Sequence, residues 1–484
     1  GRLPSKGKAF AYDKKGVTQL NTEKVISRDN DYILHTYARS PVALVAGEGM
    51  VARDAEGRQY LDFTSGIGVN SLGYCHPAWV RAVAGQAAAL QHTSNLYYTE
   101  PCGALAQALC ARTGLDAVFF GNSGAEANEG AIKCARKYSV DTYGPARNKV
   151  ITLVNSFHGR TLATLTATGQ DVFHHDFGPF PANFDYVPAG DFAALEKATD
   201  ADTCAVMMEL VQGEGGVIPL EREYVHDLAV LCAERDWLLL VDEVQTGIGR
   251  TGTLFAFQQY GILPDAVSFA KGIAGGLPMG GFLVSEKCRD VLGPGDHGST
   301  FGGNPICAAA AQAVLDILDE DALAGVQKKG RCLRAAIEAM GLPCLGATRG
   351  LGLMIGIEVK PPHSNKELAV LLARNGLLVL TAGDALRLLP PLTITQAELD
   401  RAREQSKANV LMGLESTQSH MSSLGRGELL MGEVLSPDEI IAAYDAVTRE
   451  DVRTLARELF RFENASLSAV GRVGSAEGYQ ALLS

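Results

Sequence analysis

Six short apolar runs, separated by stretches of helical periodicity, leave this chain few folds to choose from. The runs are AVFF (117–120), KVITLV (149–154), CAVMMEL (204–210), WLLLVD (237–242), AVSFA (266–270) and GGFLVS (280–285). Between them lie helix patterns such as AEANEGAIKCARKYS (125–139) and YVHDLAVLCAERD (224–236). Strands apolar on both faces must be covered on both faces, and helical crossovers join strands that run the same way. The prediction is therefore an α/β fold with a mostly parallel sheet at the centre of a three-layer large domain. Beyond Pro305 the pattern changes to an alanine-rich helix through Leu318, then to shorter strands around LGLMIGIEV (351–359) and LLVL (377–380), which read as a smaller α+β domain. A length of 484 residues suits two or three domains. The expected divisions are an unassigned extension (1–19), a segment joining the small domain (20–66), the large domain (67–324), the small domain (325–400) and a mainly helical tail (401–484).

Two of the runs deliver chemistry. Asp242 ends the apolar run LLLV, and Lys271 follows AVSFA and opens into glycines. A carboxylate and a lone amine set at neighbouring strand ends suit pyridoxal phosphate, whose aldehyde needs an amine and whose ring nitrogen needs an anion to stay protonated. In GNSGAEANEG, Ser123 and Gly124 stand between a strand end and a helix start, where free backbone N–H groups and the helix dipole favour a phosphate. The same sequence also reads as an ordinary serine N-cap. Phe157 and Arg160 in SFHGRT can stack on a ring and grip a carboxylate, and Arg387 in DALRLLPPL is a second arginine in apolar surroundings, where its charge calls for a partner. Two arginines could hold the two ends of a dicarboxylate such as glutamate. Gly247, Gly249 and Gly252 spell a dinucleotide-type loop, but Asp242 and Glu243 crowd it and no helix opens behind it. His174 and His175 lack a companion glutamate at metal-binding spacing.

A net charge of −12 with no basic run argues against a nucleic-acid surface. Ten cysteines without C-x-x-C spacing fit a reducing compartment. No apolar stretch approaches the roughly 20 residues of a membrane span, and the start GRLPSKGKAF carries no signal core. The expectation is a cytoplasmic protein acting on small molecules, away from membranes.

From about residue 20 to 400 the chain resembles the ornithine, acetylornithine and GABA aminotransferases, a branch of the pyridoxal-phosphate enzymes. The resemblance rests on YLDFTSGIGVNSLGYCHP, FFGNSGAEANEGAIKCARKY, FHGRTLATLTATGQ, ELVQGEGG, DEVQTGIGRTG, AKGIAGGLPMGG and GSTFGGNP. HTYARSPVAL and LRLLPPLTIT lean toward the acetylornithine members of arginine biosynthesis. It implies a fold-type-I transferase, a homodimer with sites at the subunit interface, and transfer of the terminal amino group of N2-acetylornithine to 2-oxoglutarate. Lys271 would be the Schiff-base lysine and proton carrier, Asp242 the partner of the ring nitrogen, and Gln245 that of the phenolic oxygen. Phe157 and Val244 would sandwich the ring, while Ser123, Gly124 and Ala125 would hold the phosphate with Thr300 of the partner subunit. Arg160 with Tyr37 would take the distal carboxylate and Arg387 the near one, with Glu214 pairing to Arg387 when the donor has no near carboxylate. Ile67 stands where ornithine-specific relatives carry tyrosine. N-succinylornithine, succinyl-diaminopimelate, ornithine and GABA stay open as donors.

After about Glu398 the pattern departs. Residues 398–473 are similar to the C-terminal part of an insulinase-type zinc peptidase lobe without its metal motif. A second reading is thus an inactive aminotransferase-like body carrying an interaction module.

Overall fold

The computed structural model describes residues 21–395 and Glu398. The expectations for the extension at 1–19 and for the peptidase-like tail lie outside the described residues.

A seven-stranded sheet forms from β1 (Ala117–Gly121), β2 (Lys149–Leu153), β3 (Phe184–Val187), β4 (Thr203–Met208), β5 (Leu238–Asp242), β6 (Ala266–Phe269) and β7 (Gly280–Val284). Their order across the sheet is β1-β7-β6-β5-β4-β2-β3. β7 runs against both of its neighbours, and the pairings from β6 across to β3 are all parallel. Alternate residues of the strands enter two separate apolar clusters. Leu238 and Leu240 pack with Ile132 and Ala135, whereas Leu239 and Val241 pack with Leu228, Val314 and Phe255. The two clusters are the two interfaces of a three-layer stack, which is why these strands read as unbroken apolar runs rather than as alternating ones.

On one face lies α1 (Gly124–Tyr143), capped by Ser123, whose side chain accepts from the Glu126 N–H. Gly130 lets it approach the sheet, since a Cβ there would lie 2.2 Å from Phe282. The other face is covered by α2 (Arg222–Arg235) and α3 (Pro305–Ile317). Asn304 accepts from the Ile306 and Cys307 N–H groups and Pro305 opens the first turn of α3, a pre-organised helix start.

A second sheet, all antiparallel, contains β8 (Leu345–Leu351), β9 (Met354–Val359), β10 (Leu380–Ala382) and β11 (Ala385–Leu388) in the order β8-β9-β11-β10. A third joins strands 44–48, 51–54 and 59–62 to Leu377–Leu378, which pairs in parallel with Leu61 and Asp62. The run LLVL thus splits between two sheets, with Val379 at the crossover. The large sheet takes CAVMMEL only as far as Met208, and just beyond that run Val211–Gln212 pairs with Ile218–Pro219 in a small hairpin. No helix among the described residues is long and apolar enough to cross a membrane.

Candidate active site

A cavity of about 420 Å³ opens where β1, β5 and β6 end and α1 begins. Ser123, Gly124, Ala125, Phe157, Arg160, Asp242, Val244, Gln245 and Lys271 all line it. Nine residues expected at one site from the sequence are therefore gathered around one cavity. β7 places Gly280 against the turn at its floor, where a Cβ would lie 2.5 Å from the Ser123 carbonyl oxygen. Gly124 meets Val244 across the cavity, and a Cβ on Gly124 would stand 2.7 Å from Val244 Cγ1.

Asp242 is 4 % exposed and fully partnered. Its Oδ2 accepts from Asn128 Nδ2 at 2.7 Å and contacts His158 Nδ1 at 2.8 Å, and its Oδ1 accepts from the Val244 N–H at 2.9 Å. An ionised carboxylate can only accept, so the proton of the imidazole sits on Nδ1. Asn128 also donates to the His158 carbonyl at 2.7 Å, locking that loop to α1. His158 and Asn128 were not singled out from the sequence. The only signal was position, since His158 lies between Phe157 and Arg160 and Asn128 falls one turn into the helix after Ser123.

Glu209, also missed, lies buried on the same wall. It accepts from the N–H groups of Phe157 at 2.9 Å and of Gly213 at 3.3 Å. Burial drives its carboxyl up to about 7, opposed by the nearby His158 and reinforced by Asp242. Burial likewise pushes the Lys271 amine below its usual range, with Asp242 and Glu214 acting in the opposite sense. Lys271 has left-handed backbone, φ 43°, at the end of β6. Strain of this kind collects at functional sites, where the surrounding fold over-determines the backbone.

Arg387, on β11 and 2 % exposed, finds the partner its burial demands. It donates to Glu214 through Nη1 at 2.6 Å and Nη2 at 3.2 Å, and through Nη1 to Gln245 Oε1 at 3.0 Å. Gln245 thereby connects this pair to the cavity wall. Arg160 is exposed and makes no ion pair among the described residues; its guanidinium lies 4.0 Å from the Phe173 ring centroid and 5.4 Å from that of Phe157. Besides Glu214 and Arg387, which connect to the cavity lining through Gln245, three further expected positions are not brought to the cavity of their own chain. Tyr37 is 73 % exposed, Thr300 lies on the exposed segment between Ser299 and Phe301, and Ile67 faces solvent.

The dinucleotide-type glycines serve packing. Gly249 and Gly252 have left-handed backbone, and a Cβ at Gly252 would lie 2.1 Å from Gln327 Cγ. His174 bonds the Leu165 carbonyl, and no group of metal-ligating side chains forms among the described residues.

The aminotransferase class-III family pattern matches residues 32–409, past the point where the sequence departs from expectation. The acetylornithine aminotransferase of Haemophilus ducreyi is 51 % identical over 383 residues, which span 79 % of this chain and 97 % of that protein. The acetylornithine/succinyldiaminopimelate aminotransferase of Yersinia pestis is 40 % identical, spanning 81 % of this chain and all of its own. Among solved structures, the ornithine aminotransferase of Toxoplasma gondii superposes with a TM-score of 0.78 at 32 % identity, covering 82 % of this chain and 96 % of that one. Acetylornithine aminotransferase from Elizabethkingia anophelis gives 0.72 at 33 % identity, covering 81 % and 100 %.

Proposed function

Because this chain belongs to the class-III aminotransferases, we propose that its cavity moves the terminal amino group of N2-acetylornithine to 2-oxoglutarate, giving N-acetylglutamate 5-semialdehyde and glutamate. The chain is a pyridoxal-phosphate-dependent aminotransferase of fold type I. Its residues suit that cofactor. Asn128 Oδ1 is buried without a partner beside the cavity, so the wall is incomplete without a polar ligand. The wall also offers an amine, a fixed carboxylate, two apolar side chains and a helix N-terminus, one for each part of the molecule.

Lys271 would hold the aldehyde carbon, Asp242 the ring nitrogen, Val244 and Phe157 the two ring faces, and Ser123, Gly124 and Ala125 the phosphate, aided by Thr300 of the partner subunit. When bound, the cofactor supplies the aldehyde that accepts the amino group and the ring that takes up electrons. Lys271 Nζ, whose burial keeps a larger share of the amine neutral, moves the proton at the reacting carbon. The bonds from Asn128, His158 and Val244 hold the Asp242 carboxylate in place. Arg160 grips the carboxylate far from the reacting amine, with Tyr37 alongside it in the assembled enzyme.

The observation that carries a terminal-amine donor is the Arg387–Glu214 pair, and the likeness to acetylornithine aminotransferases supports acetylornithine within that class. Acetylornithine presents a bare CH2–NH2 at its reacting end, and Glu214 neutralises Arg387 during that half-reaction. Glutamate brings its own carboxylate to Arg387 and displaces Glu214. One pocket thus serves two donors of different charge. The proposal includes a cytoplasmic homodimer. Asn95 donates to the carbonyls of Ser299 and Gly302 at 2.9 and 3.0 Å, setting the exposed Leu96, Tyr97, Tyr98 and Phe301 around Thr300 as an apolar face that a second copy would cover. All ten cysteines are free, which suits a reducing compartment.

The test is a donor series with 2-oxoglutarate as acceptor. N2-acetylornithine is expected to give the highest kcat/KM and ornithine, GABA and succinyl-diaminopimelate lower values. A clear preference for another donor would overturn the assignment.

A further inference from the structure

Only one of the four residues Gly213–Gly216 carries a side chain, and that residue is Glu214. The backbone around it is held from every side. Gly213 donates its N–H to Glu209, and its carbonyl accepts from the N–H of Val217, which is fully buried. A Cβ at Gly213 would lie 2.6 Å from the Gln245 amide, and one at Gly215 would lie 2.8 Å from the Asn155 carbonyl oxygen. At the far end Gly216, with φ 122°, gives its carbonyl to Arg349 Nε at 2.6 Å, and a Cβ there would lie 2.8 Å from Arg349 Nη2. Three hydrogen bonds thus anchor the turn that carries Glu214, and the one at its far end comes from Arg349.

Arg349 does more than close the turn. It projects from β8, and its other nitrogen pairs with Asp384, which sits just before β11 and three positions ahead of Arg387. One guanidinium thus bonds the loop that carries Glu214 and the hairpin that carries Arg387. Its planar fork suits this double duty, because Nε and Nη2 address two acceptors in fixed relative directions.

We infer that Arg349 is a positioning residue for donor choice: by tying the Gly216 carbonyl to Asp384 it keeps Glu214 opposite Arg387, and so sets how readily a substrate carboxylate displaces it. This rests on the reading of Glu214 and Arg387 given above. Loosening the tie weakens the resident pair, which favours a ligand that brings its own carboxylate and penalises a donor that leaves Arg387 without one.

The test uses the holoenzyme and the variants Arg349→Ala, Asp384→Asn and Glu214→Ala. Two quantities are read: single-turnover rates with N2-acetylornithine and with glutamate, and the calorimetric Kd of glutarate, a dicarboxylate with no amine. In Arg349→Ala the glutamate-to-acetylornithine rate ratio should rise about tenfold and glutarate should bind about tenfold more tightly. Glu214→Ala should shift both in the same sense, and Asp384→Asn should do so by less. If Glu214→Ala shifts both readings while Arg349→Ala shifts neither, or slows both half-reactions equally, the role given to Arg349 is overturned. If Glu214→Ala itself shifts neither, the underlying reading of the Glu214–Arg387 pair fails. Should Arg349→Ala not fold, Asp384→Asn decides, because Asp384 is largely exposed and its change leaves the bond to Gly216 in place.

Discussion

Lys271 and Asp242 face one cavity from the ends of adjacent parallel strands, and each has a consequence that can be measured. Lys271→Ala should abolish turnover in a folded protein, since the amine that joins the cofactor and the proton carrier disappear together; near-native kcat would remove it from the site. Asp242→Asn should still bind the cofactor but turn over far more slowly, because a neutral amide no longer stabilises a protonated ring nitrogen. In the proposed reading the arginines divide the substrate. Arg387→Ala should weaken the glutamate half-reaction more than the acetylornithine one, the loss being about 2–5 kcal/mol for a desolvated charged contact, while Arg160→Ala should weaken both. Equal losses in single-turnover measurements would refute that division. Glu209 supplies a pH test. Its carboxyl is raised from 4.5 to about 7 by burial, so over that interval the folded protein holds a proton that the unfolded chain has released. Its stabilising share is complete below pH 4.5 and is lost as pH rises through about 7. The decline in Tm between about pH 5 and 8 should therefore be shallower in Glu209→Gln, and equal slopes would exclude the effect. The residues legible in the sequence were those whose type announces their chemistry, such as a lysine among glycines or a carboxylate after an apolar run. His158, Asn128 and Glu209 act through partners distant in the chain, and no local pattern marks them.

At the scale of elements, the start of α1 is fixed by its neighbours as much as by its own cap. Gly124→Ala would press a methyl group onto Val244, and because both residues line the cavity the expected result is about tenfold weaker cofactor binding with little change in Tm. Adding Val244→Ala should restore part of the affinity, and no recovery in the double variant would argue against steric contact as the cause. Six strands of the large sheet were readable because burial on both faces makes each a continuous apolar run. β3, FDYV, escaped notice because Asp185 interrupts it, leaving no continuous apolar run, whereas the other edge strand β1 keeps the run AVFF. The reversed sense of β7 was equally hidden, since an apolar run is the same read in either direction. The division of LLVL between two sheets was invisible for a similar reason, as nothing in four aliphatic residues reports that Leu378 and Leu380 bond different partners.

At the scale of the whole molecule, the family pattern ends at residue 409, and a chain stopped there contains every residue assigned to the site. It is expected to keep its cofactor absorbance and most of its activity, and loss of both would make residues 410–484 necessary to the enzyme. Light scattering of the full chain should give the mass of a dimer, and Tyr98→Asp, at a fully exposed position on the apolar face beside Thr300, should shift it toward monomer. An unchanged dimer would place the contact elsewhere. The insertion of β7 between β1 and β6 also bears on synthesis. β1 is an edge strand whose sole neighbour is β7, so the turn at Ser123 has no floor until Gly280 arrives. As the chain leaves the ribosome, Asp242 is in hand well before the turn at Ser123 gains its floor, because pairing between such distant segments must wait for the later one to emerge. A nascent chain arrested short of residue 280 should fail to retain the cofactor through gel filtration, and the length at which retention first appears would time the moment when β7 closes the sheet.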